Sequence, residues 1–322
     1  MATFSYFFER GDCAIMIALK RNPDRLRKNY GKVEGSMVTI ENNCFSIPQI
    51  CESGQCFRLD AVSEDTYELL AGSRYLKIRI RENLAESAGR DGNRKANSQG
   101  ETILYCTQEE YDTFWKEYFD LSVSYSDYIG QIDEQDDYLK SAAAFGGGIR
   151  ILRQDTWEMI ITFILSQQNN IPRIKGLIRA LSERYGKKCE TPEGRAYYAF
   201  PCAEELSRAA EEELRELKLG YRSKYICQTA RMVAGGEIDL DALKEMEYTE
   251  ARTELMRLSG IGGKVADCIC LFALHQMDAF PVDTHIKKVL ELHYPHGFPF
   301  EKYRGCAGVM QQYIFYYDLK YH

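Results

Sequence analysis

The apolar residues of this chain change their period once. From Met37 to about Thr107 they fall in short runs rich in β-branched and aromatic residues, MVTI, CFRLDAV, TYELLA, YLKIRI and TILYCT, which is the pattern of strands. Farther on they recur at helical intervals, over Trp157 to Leu165, Ile174 to Leu181, Ala203 to Leu217, Tyr225 to Val233, Asp241 to Lys244 and Val265 to Leu274, with a last helix from about Ala307 to Leu319. Strands first and helices afterwards make an α+β chain, with an antiparallel β-rich domain over 37–135 and a mostly helical domain over 136–322. The polar segment Asn83 to Glu101 is too long for a tight hairpin and is expected to be a mobile loop, and Ser126 to Asp137 an acidic connector. Residues 1–36 stand apart: they hold Arg25, Arg27, Lys28 and Lys32 with little periodicity and are expected to be a poorly ordered appendage, silent or a basic tail for nucleic acid. There is no repeat of solenoid period.

At 322 residues, 45% apolar and 12% aromatic, the chain has ample material for a packed core. Its longest early apolar stretch, Ala14 to Leu19, is far shorter than the roughly 18 residues that span a bilayer, and Glu9 and Asp12 stand where a secretory signal is basic, so no membrane role or export is expected. Eleven cysteines, an odd number spread from Cys13 to Cys306, point to a reducing compartment. Cys268-x-Cys270 lies inside an apolar helical pattern with no second pair nearby, so neither a metal nor another cofactor is expected. A net charge of −7 argues against binding polyanions through bulk charge, so any nucleic-acid role must be confined to one basic face.

The most informative stretch is LSGIGGKVADCICLFALHQMDAFPVDTHIKKVL, Leu258 to Leu290, in which Gly260, Gly262 and Gly263 separate two helical patterns. Without side chains such a turn can take positive φ and bring its N–H groups against a phosphate, aided by the dipole of the helix that follows; the same turn also serves as a plain helix-helix connection. Lys264 then lies in the first helical turn, where the dipole disfavours a cation by at most about 2 kcal/mol. A working amine nucleophile therefore needs a water-poor pocket as well; a lysine that merely contacts phosphate does not. Cys268, four residues on, shares a stripe with Lys264, as a wall for a flat ligand or as core. Asp283, in PVDTH, precedes an apolar-periodic run and sits at a helix N-cap. A carboxylate touching Lys264 would favour its charged form and oppose nucleophilicity, so the better catalytic role for Asp283 is to stabilise positive charge developing on a reacting sugar.

GIGGKVADCICL…PVDTH resembles the helix-hairpin-helix, Gly/Pro…Asp (HhH-GPD) DNA glycosylases, and looks like their 8-oxoguanine DNA glycosylase/AP lyase branch. ESGQCFRL (Glu52 to Leu59), ILRQDTWEMIITFILSQQNNIPRI (Ile151 to Ile174) and LKLGYRSKYI (Leu217 to Ile226) agree with it, and the likeness covers about Met37 to Leu319. It implies a small TBP-like antiparallel domain followed by a helical HhH-GPD domain, with the site in the cleft between them. It also implies a monomer acting on double-stranded DNA with a damaged base, which it flips out and excises opposite cytosine before cleaving the strand. Lys264 matches the amine that attacks C1′ and Asp283 its partner. Gly54 matches the glycine whose carbonyl accepts the N7–H of 8-oxoguanine, where guanine presents a lone pair; read alone, it is a turn glycine. Gln311 and Phe315 match the pair that reads the Watson–Crick edge and stacks on the base opposite Cys268, although Gln312 and Tyr316 have the same spacing.

By the same likeness Asn169, Arg173 and Arg222 hold the orphaned cytosine, Tyr221 is the wedge beside the gap, His285 touches phosphate, and Gly260 and Gly262 belong to the hairpin that anchors DNA. Three positions depart from the family pattern: Gln168 stands where asparagine is usual, Pro172 lies in the gap-filling turn, and Ser259 replaces the hairpin proline. Two other readings compete. One is a non-catalytic helix-hairpin-helix DNA-binding module; the other is a glycosylase for another base, such as adenine mispairs or oxidised pyrimidines, whose members commonly carry a cysteine cluster missing here.

Overall fold

The computed structural model describes residues 36–81 and 100–321. The expected appendage, apart from Ser36, and most of the expected loop lie outside the described residues. Five strands, β1 (Val38–Glu41), β2 (Leu59–Ala61), β3 (Thr66–Ala71), β4 (Arg74–Arg81) and β5 (Glu101–Tyr105), form an antiparallel sheet in the order β1-β5-β4-β3-β2. Leu69 faces Leu76 and Ile78 faces Leu104 across the register, so one side of the sheet is a continuous apolar surface. Helix α1 (Ile47–Glu52) covers it with Ile47 and Ile50, and the helical stretch 108–118 adds Trp115 and Tyr118, with Phe119 following. Two expectations change here. Glu101, assigned to the loop, opens β5, and CFRLDAV is strand only over Leu59–Ala61, because the chain has just left a left-handed turn at Gly54 (φ 74) and Arg58 turns inward to pair with Glu158 at 3.4 Å.

Helices follow: α2 (Tyr125–Gly130), α3 (Asp137–Gly146), α4 (Thr156–Ser166) and α5 (Ile171–Tyr185). The acidic connector is therefore partly helical, and Asp136 is a cap that accepts the Leu139 amide at 2.9 Å. A two-stranded hairpin, β6 (Lys188–Glu190) and β7 (Ala196–Tyr198), which the sequence reading missed, reaches back to the sheet where Tyr197 Oη donates to the Ser73 carbonyl at 2.9 Å. The single helix expected over Ala203 to Leu217 is two, α6 (Ala203–Ser207) and α7 (Glu211–Glu216). Each begins where a glutamate three residues on accepts the cap amide, Glu205 from Cys202 at 2.8 Å and Glu213 from Ala210 at 2.9 Å.

The chain continues through α8 (Arg222–Ala234), α9 (Leu240–Glu245), α10 (Tyr248–Leu255), α11 (Gly263–Phe272), α12 (Thr284–His293) and α13 (Ala307–Tyr321). The core of the helical layer runs from α4 through α8 to α11 and α13, and Met37–His322 form one compact unit. Among the described residues no helix is long and apolar enough to cross a membrane.

Candidate active site

The turn between α10 and α11 is anchored by Leu258 and Ile261, both buried. Only one of its glycines needs the left-handed region: Gly260 has φ 80, and a Cβ there would lie 2.5 Å from the Tyr225 ring. Gly262 has φ −96 and caps α11, so the positive φ expected of it is not required. At Gly263 a Cβ would overlap the Arg252 guanidinium. The turn is held from outside by Gln167 Nε2 to the Gly260 carbonyl at 2.9 Å and by Thr229 Oγ1 to the Ser259 carbonyl at 3.3 Å. Ser259, in place of proline, donates its hydroxyl to Gln228 at 2.6 Å. The amides of Gly262, Gly263 and Lys264 have no acceptor among the described residues, as the first amides of a helix require unless a ligand or water takes them.

Lys264 is exposed. The water-poor pocket expected around it is not supplied by the protein alone, because the second residue of α11 follows directly on the exposed Gly262 of the hairpin. Cys268 lies one turn farther along the same face of α11, close enough for the Lys264 charge to act on its thiol. Cys268 is fully buried, and burial pushes its thiol up to about 11, an effect that Lys264 opposes and that Asp283 reinforces through its charge. Cys268 is therefore a neutral thiol near pH 7. Asp283 caps α12, with Oδ1 accepting the His285 amide at 3.0 Å and the Ile286 amide at 2.9 Å; Oδ2 makes no hydrogen bond among the described residues. Lys264, near the start of α11, and Asp283, at the cap of α12, thus both act through their charge on Cys268.

Helix α13 presents two candidate pairs, and their partners separate them. Gln311 donates to the Pro281 carbonyl at 3.0 Å, two residues before Asp283, and its buried Oε1 has no partner. Phe315 packs over Gly54, where a Cβ would come within 3.2 Å of Cε1. Gln312 instead meets Gln55 at 3.5 Å, and Tyr316 donates to Glu52 at 3.1 Å. Gln311 and Phe315 therefore lie between the Asp283 loop and the Gly54 turn.

The gap-filling segment is ordered differently from expectation. Arg222 is only 5% exposed and its guanidinium points inward to the carbonyls of Gln167, Gln168 (3.2 Å) and Leu219 (3.4 Å), so it is not poised to receive a base; it ties α8 to the turn after α4. Tyr221, 44% exposed, lies under that guanidinium with Cζ 4.5 Å from the ring centroid. Arg173 is exposed and its guanidinium has no partner among the described residues. Asn169 turns back, donating to the Leu165 carbonyl at 3.1 Å and accepting the Asn170 amide at 3.1 Å. Gln168 adopts φ 47, a region asparagine tolerates better, whereas Pro172 is accommodated in the first turn of α5. His285 is exposed, with Nδ1 3.2 Å from Asp318. Among the described residues no group of three His, Cys, Asp or Glu side chains converges to hold a metal.

Residues 37–160 match the family described as 8-oxoguanine DNA glycosylase, N-terminal domain, and residues 161–298 the HhH-GPD superfamily of base excision DNA repair proteins. Among curated proteins, the N-glycosylase/DNA lyase of Saccharomyces cerevisiae is 38% identical over 58% of this chain and 52% of its own length, and N-glycosylase/DNA lyase OGG1 of Arabidopsis thaliana 36% over 54% and 48%. The chain thus spans about half the length of these relatives. Among solved structures, MBOgg1 in complex with a low affinity DNA ligand superposes with a TM-score of 0.78 at 34% identity, over 90% of this chain and 97% of that one. The chain belongs to the 8-oxoguanine DNA glycosylase family. A second member, Clostridium acetobutylicum 8-oxoguanine glycosylase/lyase in complex with DNA containing cytosine opposite 8-oxoG, gives 0.75 at 34% identity, over 88% and 94%.

Within this glycosylase fold, three supporting residues escaped the sequence reading. Asp267 accepts Arg252 Nε at 2.6 Å and Tyr248 Oη at 2.8 Å, bracing α11 against α10; a lone aspartate in an apolar helical run was the available signal. Gln167 is the hub of the turn after α4, and Pro281 offers a carbonyl to Gln311; neither carries a local signature.

Proposed function

We propose that this chain excises 8-oxoguanine from opposite cytosine in duplex DNA and then cleaves the strand by β-elimination, acting as a monomer without a cofactor. The observation that carries the reading is the grouping of Lys264, Cys268 and Asp283 beside a space lined by Gly54, Gln311 and Phe315. The hairpin amides and His285 would take backbone phosphates, and the everted base would enter between Cys268 and Phe315. The Gly54 carbonyl would accept N7–H, which guanine lacks, and Gln311 would read the Watson–Crick edge with its unused Oε1. Lys264 Nζ attacks C1′, the C1′–N9 bond breaks, and the base leaves with the electron pair. Loss of the remaining amine proton and opening of the sugar give a Schiff base, and removal of a C2′ proton then expels the 3′ phosphate. Asp283, with a free Oδ2, stabilises the cationic sugar. Because Lys264 is exposed, the DNA itself must exclude water around the amine.

On this reading the site lies between the β-rich part, 37–135, and the helical part, 136–322. Arg173 faces the orphaned cytosine with Tyr221 as the wedge, while Asn169 and Arg222 hold the gap-filling turn in shape. The working compartment is one that holds DNA and is reducing, cytoplasmic or nuclear. Borohydride trapping on an 8-oxoguanine:cytosine duplex tests the proposal: the wild type should form a covalent adduct and Lys264→Gln none. An undiminished adduct in the variant removes Lys264 from its role, and binding without cleavage by the wild type favours a non-catalytic module.

A further inference from the structure

Gly54 sits in the left-handed region at φ 74, where a glycine has shallow torsional preferences, so the direction of its carbonyl must be set by its neighbours. Gln55, the next residue, is 0% exposed and satisfied on every side. Its Nε2 donates to the Ser53 hydroxyl and the Arg150 carbonyl, both at 3.0 Å, with Gln312 Oε1 at 3.5 Å. Its Oε1 accepts the Leu152 amide at 3.0 Å, and its own carbonyl accepts Gln154 Nε2 at 2.9 Å. Ser53, on the other side of Gly54, donates in turn to the Ile50 carbonyl at 2.9 Å. Both flanks of Gly54 are thereby fastened to α1 and to the segment 150–154. The same carboxamide also reaches Gln312 of α13 in a longer, shared contact, on the helix whose neighbouring face carries Gln311 and Phe315.

We infer that Gln55 is a specificity-positioning residue: without touching the base, it aims the Gly54 carbonyl and sets the gap between Gly54 and Phe315, and so governs excision of 8-oxoguanine. This rests on the reading that the Gly54 carbonyl meets N7–H. The carboxamide is the one side chain of this length that supplies two donors and an acceptor at once; glutamate would set a carboxylate against the Arg150 carbonyl, and methionine would leave the Leu152 amide without its acceptor. A displacement of the carbonyl on the ångström scale costs about 10²-fold in a positioned reaction.

The test compares two reactions of the 322-residue chain under single turnover: excision from an 8-oxoguanine:cytosine duplex, and cleavage of a duplex with a preformed abasic site, which uses Lys264 and Asp283 and has no base to read. For Gln55→Met, excision should fall roughly 10- to 100-fold while abasic-site cleavage stays within about threefold of wild type. Gln312→Met, which removes only the longest contact, should show a smaller loss of the same selectivity, and it carries the test if Gln55→Met does not fold. A parallel fall of both reactions in the folded variants assigns Gln55 to general stability and overturns the inference, as does unchanged excision. Failure of the wild type to excise 8-oxoguanine is a different result: it removes the parent reading, and this inference with it.

Discussion

Asp283 performs two duties that one substitution can separate. It caps α12 through Oδ1, which asparagine does about equally well, and it places negative charge beside Cys268 and Lys264, which asparagine does not. Asp283→Asn should therefore change stability by less than about 0.5 kcal/mol in urea unfolding while lowering single-turnover excision by about 10²-fold. Asp283→Ala should lose the cap as well, about 1 kcal/mol. A stability loss in the asparagine variant as large as in the alanine variant would show that the charge, rather than the cap, holds the head of α12. At this scale the site was legible in the sequence because helix caps and glycine turns are local. Arg222 was not, since its inward course depends on carbonyls 54 and 55 residues away.

The elements that carry the site are braced in pairs. Helix α11 is pinned to α10 by Asp267, which is largely buried and takes two donors, and the missing Cβ of Gly263 leaves room for the arginine that completes the brace. Asp267→Ala leaves Arg252 and Tyr248 without their acceptor and should cost about 2–3 kcal/mol, read from the urea midpoint at constant slope. Unchanged stability would mean the brace is ornamental. Helix α5 is likewise tied to β2, where Lys175 donates to the Leu59 carbonyl at 2.6 Å and to Asp60 at 2.8 Å, so the helix bearing Arg173 is fixed to the strand that follows the Gly54 turn.

The sheet and the helical layer meet at Asp120. This residue and His275, three residues past α11, both adopt left-handed backbone, φ 52 and 55, and face each other at 3.2 Å; Arg153 and Tyr125 also reach the carboxylate, at 3.1 and 3.0 Å. Burial alone would push the Asp120 carboxyl up, but His275, Arg153 and Tyr125 overcome it and hold it below the ordinary value. A depressed carboxyl contributes stability above its unfolded value of about 3.9 and loses it as pH falls through the folded value. Asp120→Asn should therefore be less stable than wild type by about 2–3 kcal/mol at pH 7, with the deficit shrinking below about pH 5. Glu158, pushed up by burial, bends the curve the other way in both proteins, so the difference between them isolates Asp120. A deficit constant from pH 7 to pH 3 would show that packing, not charge, is what the site contributes.

The amino-acid sequence alone determined the order of strands and helices, the glycine hairpin and the local seats of Lys264, Cys268 and Asp283, because periodicity, turn chemistry and caps are written within a few residues of where they act. Only the tertiary structure decided which face of α13 meets the site: nearly every residue from Ala307 to Tyr316 is buried, so the helix has no polar side from which to read its phase. The carboxamide knot at Gln55 lies equally beyond local reading. Its partners are drawn from positions as far as 257 residues away, and contacts closed over such separations exist only once the two layers have packed.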